Sequence, residues 1–134
     1  MSERRGYRGY IGSRPLHGSR TPQHVQNLVV RDYCQRHGLT YLLSAVEYAM
    51  PGCYLMLTDV LNELPSLEGI VAYSLFMLPA DRDRRLEVHR RVLESGAAMH
   101  FALEGLKLAE ATDVARLEDI RLVQQALAHA PQRV

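Results

Sequence analysis

The residues best suited to chemistry in this chain follow a short β-favouring stretch that ends at Gly12. Five polar residues stand there: Ser13, Arg14, His17, Ser19 and Arg20. The helix-start signal Thr21-Pro22 comes next. Guanidinium groups, hydroxyl groups and the free N–H groups of a helix N-terminus suit an anion such as phosphate or carboxylate. The spacing matches neither the P-loop nor the dinucleotide fingerprint, so a solvated loop before a capped helix is an equally weighted alternative.

Further polar residues follow the later apolar stretches. Glu47 closes the apolar run 40–46, and Ser74 and Glu104 follow the next two runs. A carboxylate partly removed from water suits a general base or acid, whereas a salt bridge to a loop arginine is the alternative. The residues expected to be catalytic are Glu47, Ser13, His17, Ser74 and Glu104. The residues expected to bind substrate are Arg14, Ser19, Arg20, Gln26, Asn27, Tyr10, Tyr48 and Met77. The histidines and cysteines lack metal-ligand spacing, and no cofactor motif is present, so we expect neither a metal ion nor a cofactor.

These residues are positioned by strands that alternate with helices. We expect strands at 7–12, 40–46, 69–75 and 98–103, with a further short strand or an extended segment at 107–109. Helices are predicted at 22–37, 54–64, from Asp81 to Gly96, and from a cap at Thr112 to about 127. Repeated βαβ units with right-handed crossovers make the strands parallel and place helices on both faces. The sequence therefore predicts a three-layer α/β sandwich around a four-stranded, mostly parallel sheet of order 2-1-3-4.

That strand order gathers the polar residues at one place. In open parallel sheets, ligands bind beyond the carboxyl ends of the strands, where the order reverses, which here is between the first and third strands. The whole chain, 1–134, is expected to be one domain, with a flexible arm at 1–6 and a flexible tail at 130–134. Helical residues Ile120, Leu122 and Val123 face more than one side, so the last helix could pair two chains in a homodimer.

Composition narrows the choice of partners. The 134 residues carry a formal net charge of +1, which gives no argument for nucleic acid or an anionic membrane surface as a partner. No signal peptide and no apolar run of membrane-spanning length is visible. Both cysteines are expected to be reduced thiols. We therefore expect a cytoplasmic protein that binds neither nucleic acid nor membrane.

The order of elements from Tyr10 to Leu103 resembles the N-terminal catalytic domain of serine recombinases, the resolvases and invertases. Those enzymes end the first strand in Gly-Tyr-Ala-Arg-Val-Ser, where this chain has Gly9-Tyr10-Ile11-Gly12-Ser13-Arg14. Ser13 is displaced by one residue, and the arginine before the nucleophile is absent. After the third strand, Ser74-Leu75-Phe76-Met77-Leu78-Pro79 replaces their Asp-Arg-Leu-x-x-Arg element. The resemblance implies a resolvase-like or flavodoxin-like fold without strand exchange.

A second resemblance covers nearly the whole chain. It is to the sporadic carbohydrate cluster proteins, a small bacterial family encoded among surface-polysaccharide genes. The matching stretches are Arg8-Gly9-Tyr10-Ile11-Gly12-Ser13-Arg14, Gln26-Asn27-Leu28, Arg31-Asp32-Tyr33-Cys34, Tyr54-Leu55-Met56-Leu57, Tyr73-Ser74, Met77-Leu78-Pro79 and His100-Phe101-Ala102-Leu103-Glu104. By its genetic setting this resemblance implies biosynthesis of carbohydrates or secondary metabolites.

These observations lead to three expectations of function. The first is a small enzyme that acts on an anionic, sugar-derived metabolite by cofactor-free proton transfer, as an isomerase, epimerase, dehydratase or cyclase. Here loop one holds the anion and Glu47 moves the proton. The second is a non-catalytic ligand-binding or scaffolding accessory protein for a biosynthetic partner enzyme. The third is a degenerate recombinase-like DNA module, against which the near-neutral charge argues.

Overall fold

The computed structural model describes residues 4–128 and shows a five-stranded sheet with helices on both faces. The strands are β1 (Tyr7–Gly12), β2 (Tyr41–Glu47), β3 (Gly69–Ala72), β4 (Ala98–Phe101) and β5 (Leu106–Leu108). The helices are α1 (Gln23–Arg36), α2 (Leu55–Asn62), α3 (Arg82–Glu94) and α4 (Ala111–Ala128), with 3₁₀ turns at Leu64–Ser66 and Leu75–Met77. The predicted α/β class is confirmed.

The strand order is β2-β1-β3-β4-β5. The first four strands pair in parallel, and β5 turns back to pair antiparallel with β4. The predicted order 2-1-3-4 is therefore correct for the first four strands, but the sheet has five strands and not four, with β5 at the edge next to β4. β5 has three residues, which is too short for an apolar alternation to identify it.

The core lies on β1, β3 and β4, because these strands have a neighbour on each side and helices on both faces. All four residues of β3 are buried. α1 covers one face, and the right-handed crossovers place α2 and α3 on the other. α4 packs on β5 and beside α3, where Arg85 and Glu118 join the two helices. The carboxyl ends of β1 and β3 thus meet in the middle of the sheet.

Several local expectations need correction. β2 was expected to be covered on both faces, but it lies at the sheet edge, where Leu43 is 77% exposed. α1 begins after Pro22 with no side-chain cap, so the predicted cap at Thr21 is wrong. Asp81 does cap α3, since its carboxylate accepts a hydrogen bond from the Arg84 N–H at 3.2 Å. At the last helix, Asp113 takes the role expected of Thr112 and accepts from two N–H groups.

The predicted arm and tail fall mostly outside the described residues. Residues 1–3 and 130–134 belong to those that the structure does not describe. Arg5, within the predicted arm, donates its backbone N–H to the Ser66 carbonyl at 2.9 Å. Leu122, Val123 and Leu127 of α4 are exposed in the single chain. Within residues 4–128, no helix is both long and apolar enough to cross a membrane.

Candidate functional site: an arginine-lined crevice at the carboxyl edge of the sheet

A cavity of about 160 Å³ opens where β1 and β3 end. Four segments enclose it: the residues after β1, the start of α2, the loop that follows β3, and α4. Its lining includes Arg14, Gln26, Tyr54, Phe76, Met77 and Arg121. This is the position at which the strand order reverses, and it is where open parallel sheets bind their ligands.

The residues after β1 form a tight turn. Leu16 and Ser19 exchange two backbone hydrogen bonds, of 2.8 and 3.0 Å. His17 and Gly18 between them have φ angles of 52° and 79°, the pair of positive values typical of a type I′ turn. The left-handed conformation of His17 costs about 1–2 kcal/mol. The turn holds the exposed His17 ring against Phe76, with 4.4 Å between the ring centroids.

Gln26 fixes the end of β1. Its side-chain amide accepts from the Gly12 N–H at 3.1 Å and donates to the carbonyls of Gly12 and Thr21. The residue is 3% exposed, and buried polar groups must be paired in this way. Gln26 was expected to bind substrate. In the structure its amide holds the floor of the crevice in place.

Glu47 is buried beneath the crevice, at 2% exposed. One carboxylate oxygen accepts from the Tyr10 hydroxyl at 2.8 Å and from the Leu57 N–H at 3.0 Å. The other accepts from the N–H groups of Met56 and Tyr48 at 3.0 and 3.1 Å. The carboxylate therefore caps the N-terminus of α2, where a negative charge is favoured. Burial and the adjoining Glu47 charge raise the pKa of Tyr10.

Ser74 and Glu104 form a second polar pair. The Ser74 hydroxyl donates to Glu104 Oε2 at 2.6 Å, and Glu104 Oε1 accepts from the Leu75 N–H at 2.8 Å. The Ser74 oxygen also accepts from the Phe76 N–H at 3.1 Å. These bonds shape the turn after β3. Together with His17 and Ser19, both residues line a cavity of about 440 Å³ next to the first.

Arg121 is the buried cation of the site. Arg121 is 8% exposed. Among residues 4–128 its Nε has no hydrogen-bond partner, and its Nη1 donates to the Leu75 carbonyl at 3.4 Å. Its guanidinium lies over the Phe76 ring, 5.4 Å from the centroid. Burial and the neighbouring Arg85 lower the pKa of Arg121. An arginine remains charged in proteins, so a positive charge faces the cavity with little to balance it.

Arg14 brings a second positive charge to the same cavity. Its guanidinium lies 4.4 Å from the centroid of the Tyr54 ring. It makes no salt bridge or hydrogen bond to any other residue in the described part of the chain. Two guanidinium groups without carboxylate partners therefore converge on one enclosed space, which is an arrangement that binds anions.

The structure gathers some of the expected site residues and separates others. Arg14, Gln26 and Met77 line the first cavity, and His17, Ser19, Ser74 and Glu104 line its neighbour. Tyr10 and Glu47 lie buried below. Ser13, Arg20, Asn27 and Tyr48 line neither cavity. The Ser13 hydroxyl accepts instead from the Gln23 side chain at 3.3 Å, and Asn27 is half-buried with an unpartnered Oδ1 among the described residues.

Sequence reasoning missed Arg121 and Tyr54 as site residues. Arg121 lies one helical turn after the buried Leu117, on the side of α4 that packs inward. A lone cation on the apolar face of a helix was the available signal. Tyr54 gave no signal in the sequence, because an aromatic residue at the start of a helix is ordinary. Phe76 follows the third strand, which places it at the carboxyl edge of the sheet, and it lines the cavity there.

Comparison with solved structures finds recombinase domains. The N-terminal catalytic domain of TP901-1 integrase is 14% identical, with a TM-score of 0.63, over 88% of this chain and 94% of that one. A resolvase family site-specific recombinase from Streptococcus pneumoniae is 9% identical, with a TM-score of 0.62, over 89% of this chain and 88% of that one. No family model and no curated protein matches the sequence.

These neighbours correct the expected function. They are recombinase domains and not isomerases, epimerases, dehydratases or cyclases. The expected carbohydrate or secondary-metabolite enzyme is therefore contradicted, and with it the accessory role for such an enzyme and the anionic metabolite as its ligand. Site-specific recombination is a reaction of DNA, so the exclusion of nucleic acid as a partner is contradicted as well. Net charge averages over the whole chain and does not describe the arginine-lined crevice.

The two resemblances fare differently. Nothing supports the sporadic carbohydrate cluster family, since no family model matches. The likeness to serine recombinase catalytic domains is supported in architecture by both solved structures. At 9 and 14% identity this likeness concerns the fold alone. The chain has a resolvase-like fold with an arginine-lined crevice at the carboxyl edge of its sheet.

Proposed function

We propose that this chain is a nucleic-acid-binding module that holds a backbone phosphate in the crevice between Arg14 and Arg121. The observation that carries the proposal is the buried Arg121 guanidinium, which lines the cavity without a carboxylate partner among residues 4–128. Burying a charge unpaired costs free energy. A phosphate oxygen supplied by a ligand offsets that cost and forms charge-assisted hydrogen bonds with the guanidinium.

Phosphate is favoured over other anions by the donors and by the fold. Guanidinium groups bind phosphate oxygens bidentately, and two of them face the same space. The solved structures of similar fold belong to recombinases, whose reaction takes place at the phosphodiesters of DNA. The two arguments are independent, because one rests on side chains and the other on the path of the backbone.

The proposal is for binding rather than strand cleavage. The Ser13 hydroxyl does not line the arginine cavity and is bonded to Gln23. The Ser74 hydroxyl is 1% exposed and donates to Glu104. A nucleophile must reach the phosphorus with a base in position. Ser74 has Glu104 as a base but is buried and lines the neighbouring cavity, so neither hydroxyl faces a phosphate held between Arg14 and Arg121. We place this binding in the cytoplasm, where the two free cysteines stay reduced.

Fluorescence anisotropy with a labelled oligonucleotide tests the proposal on the full chain. We expect Arg14→Gln and Arg121→Met each to weaken binding about 10- to 100-fold, the value of a charge-assisted hydrogen bond of about 1.5–3 kcal/mol. Binding should weaken as the salt concentration rises, and each variant should reduce the slope of log K against log salt because it removes one cation from the phosphate site.

The matched control is Arg116→Gln, which removes the same charge from an exposed position on α4 outside the cavity. It should bind within about twofold of the wild-type chain, the range of surface substitutions. Thermal melting checks that the variants fold; Arg121→Met replaces an unpaired buried charge by an apolar chain and should melt no lower than wild type. Equal losses in all three variants, or no binding by the wild-type chain at low salt, overturn the proposal.

A further inference from the structure

The arginine cavity is one part of a longer groove. Phe76 and Arg121 also line a second cavity of about 210 Å³, and Leu16 and Phe76 line the cavity of about 440 Å³ beside Ser74. On the opposite side, Tyr54 lines a further cavity of about 380 Å³ between α2 and α3. Neighbouring cavities share these lining residues and therefore adjoin one another. We call this row of cavities the track.

Guanidinium groups and aromatic rings alternate along this track. Arg84 and Arg14 lie 4.9 and 4.4 Å from the centroid of Tyr54. Arg121 lies 5.4 Å from the centroid of Phe76, whose ring meets His17 at 4.4 Å. None of the three arginines forms a salt bridge to another described residue. The track has basic groups for consecutive phosphates and half-exposed ring surfaces between them.

Acidic residues also line the track. Asp83 and Glu87 line the cavity between α2 and α3, and Glu87 is paired with Arg90. Glu104 lines the cavity beside Ser74, where the Ser74 hydroxyl and the Leu75 N–H occupy its oxygens. Arg91 shares the cavity of Asp83 and donates to the Asn62 side chain, so it adds a fourth guanidinium without a carboxylate partner among the described residues.

We infer that the occupant of this groove is single-stranded nucleic acid, with phosphates at the arginines and bases stacked on Tyr54, Phe76 or His17. This inference rests on the function proposed above and names the class of ligand. Rings between basic groups serve a single strand, whose bases are free to stack on aromatic side chains. In a duplex the bases are stacked inside, and a duplex-binding surface instead relies on many phosphate contacts across a broad surface, whereas the basic groups here lie within narrow cavities beside aromatic rings.

Three probes of equal length distinguish the possibilities in an anisotropy assay with the full chain. They are an oligothymidylate strand, an abasic sugar–phosphate strand, and a duplex. We expect the oligothymidylate to bind about tenfold more tightly than either of the others, because stacking one base is worth about 5- to 150-fold in affinity. Phe76→Leu and Tyr54→Leu should each lower oligothymidylate affinity about tenfold and leave the abasic strand within about twofold.

The matched control is Tyr41→Leu. Tyr41 has an arginine near its ring, Arg31 at 5.9 Å, but it lies on β2 and lines none of the cavities of the track. This variant should bind all three probes like the wild-type chain. An abasic strand that binds as tightly as oligothymidylate, or a duplex that binds as tightly or more so, overturns the single-strand inference and leaves phosphate binding standing. Absence of binding to all three probes overturns both.

Discussion

Arg85 controls whether Arg121 is available to a ligand. Its guanidinium takes both oxygens of Glu118, with Nε–Oε2 and Nη2–Oε1 distances of 2.7 and 2.6 Å. Glu118 lies three residues before Arg121 on α4, which is the spacing at which helical side chains meet. The hydrogen bonds from Arg85 lower the pKa of Glu118 and keep it ionised. Arg85 therefore holds in place the one carboxylate that could neutralise Arg121 from the same helix.

Replacing Arg85 with methionine should turn Glu118 toward Arg121. The carboxylate side chain is 15% exposed and loses a buried partner. Arg82 lies 3.8 Å from Glu118 Oε1, but its side chain is 72% exposed, so the carboxylate gains most by pairing with the buried guanidinium of Arg121. A ligand phosphate then has to displace that pair, which is worth about 1.5–3 kcal/mol as a charge-assisted contact. We expect Arg85→Met to weaken oligonucleotide binding about 10- to 100-fold although Arg85 itself need not touch the ligand.

The double variant separates this explanation from a general loss of structure. Arg85 also donates to the carbonyls of Pro79 and Ala80 at 3.2 and 2.9 Å, so its removal could disturb the crevice wall. Glu118→Gln, added to Arg85→Met, removes the competing charge without restoring those bonds. We expect anisotropy to show recovery to within a few-fold of wild-type affinity in the double variant. If affinity stays low, the effect is structural; if Arg85→Met alone binds normally, Glu118 does not compete for Arg121. Either result refutes the reasoning.

Two further predictions concern stability. Glu47→Gln should destabilise the fold by about 3 kcal/mol, since the amide nitrogen cannot accept from the N–H groups that the carboxylate satisfies; urea denaturation should show a lower midpoint, and a normal midpoint would exclude the capping role. His100 is bonded to Tyr33 at 2.7 Å, and burial, with Lys107 and His37 nearby, lowers its pKa to about 4. As the pH falls, the unfolded chain takes up the His100 proton first, near pH 6.5. The free energy of unfolding should therefore fall by about 2 kcal/mol between pH 7 and pH 5, relative to a His100→Asn chain. Parallel pH profiles of the two chains would contradict this prediction.

Much of the fold could be predicted because its main signals are local. The β-favouring residues of β1, the apolar runs of β2, β3 and β4 and the helical spacing between them determine a parallel sheet once right-handed crossovers are imposed. For β5 the sequence left open a short strand or an extended segment, because its three residues are held by pairing with β4 rather than by any pattern of their own. The exposure of β2 likewise depends on its place at the edge, which an apolar run does not reveal.

The location of the site was predictable, but the roles of its residues were not. Strand order alone places Arg14, Glu47 and Ser74 near one edge. Whether a carboxylate there is free depends on which hydrogen-bond donors reach it in three dimensions. For Glu47 these include two N–H groups of α2 and the hydroxyl of Tyr10. Arg121 comes from a helix far along the chain, whose approach to the edge depends on how α4 packs against α3.

The cap on α2 has a consequence for how the molecule comes apart. One buried carboxylate ties together the end of β2, the first turn of α2 and the Tyr10 hydroxyl of β1. β2 has a strand neighbour on one side only. The segment from β2 through α2 is thus a natural unit of partial unfolding, and the Glu47 side chain is one of the contacts that hold it to β1. Tyr54, which forms one wall of the crevice, travels with that unit.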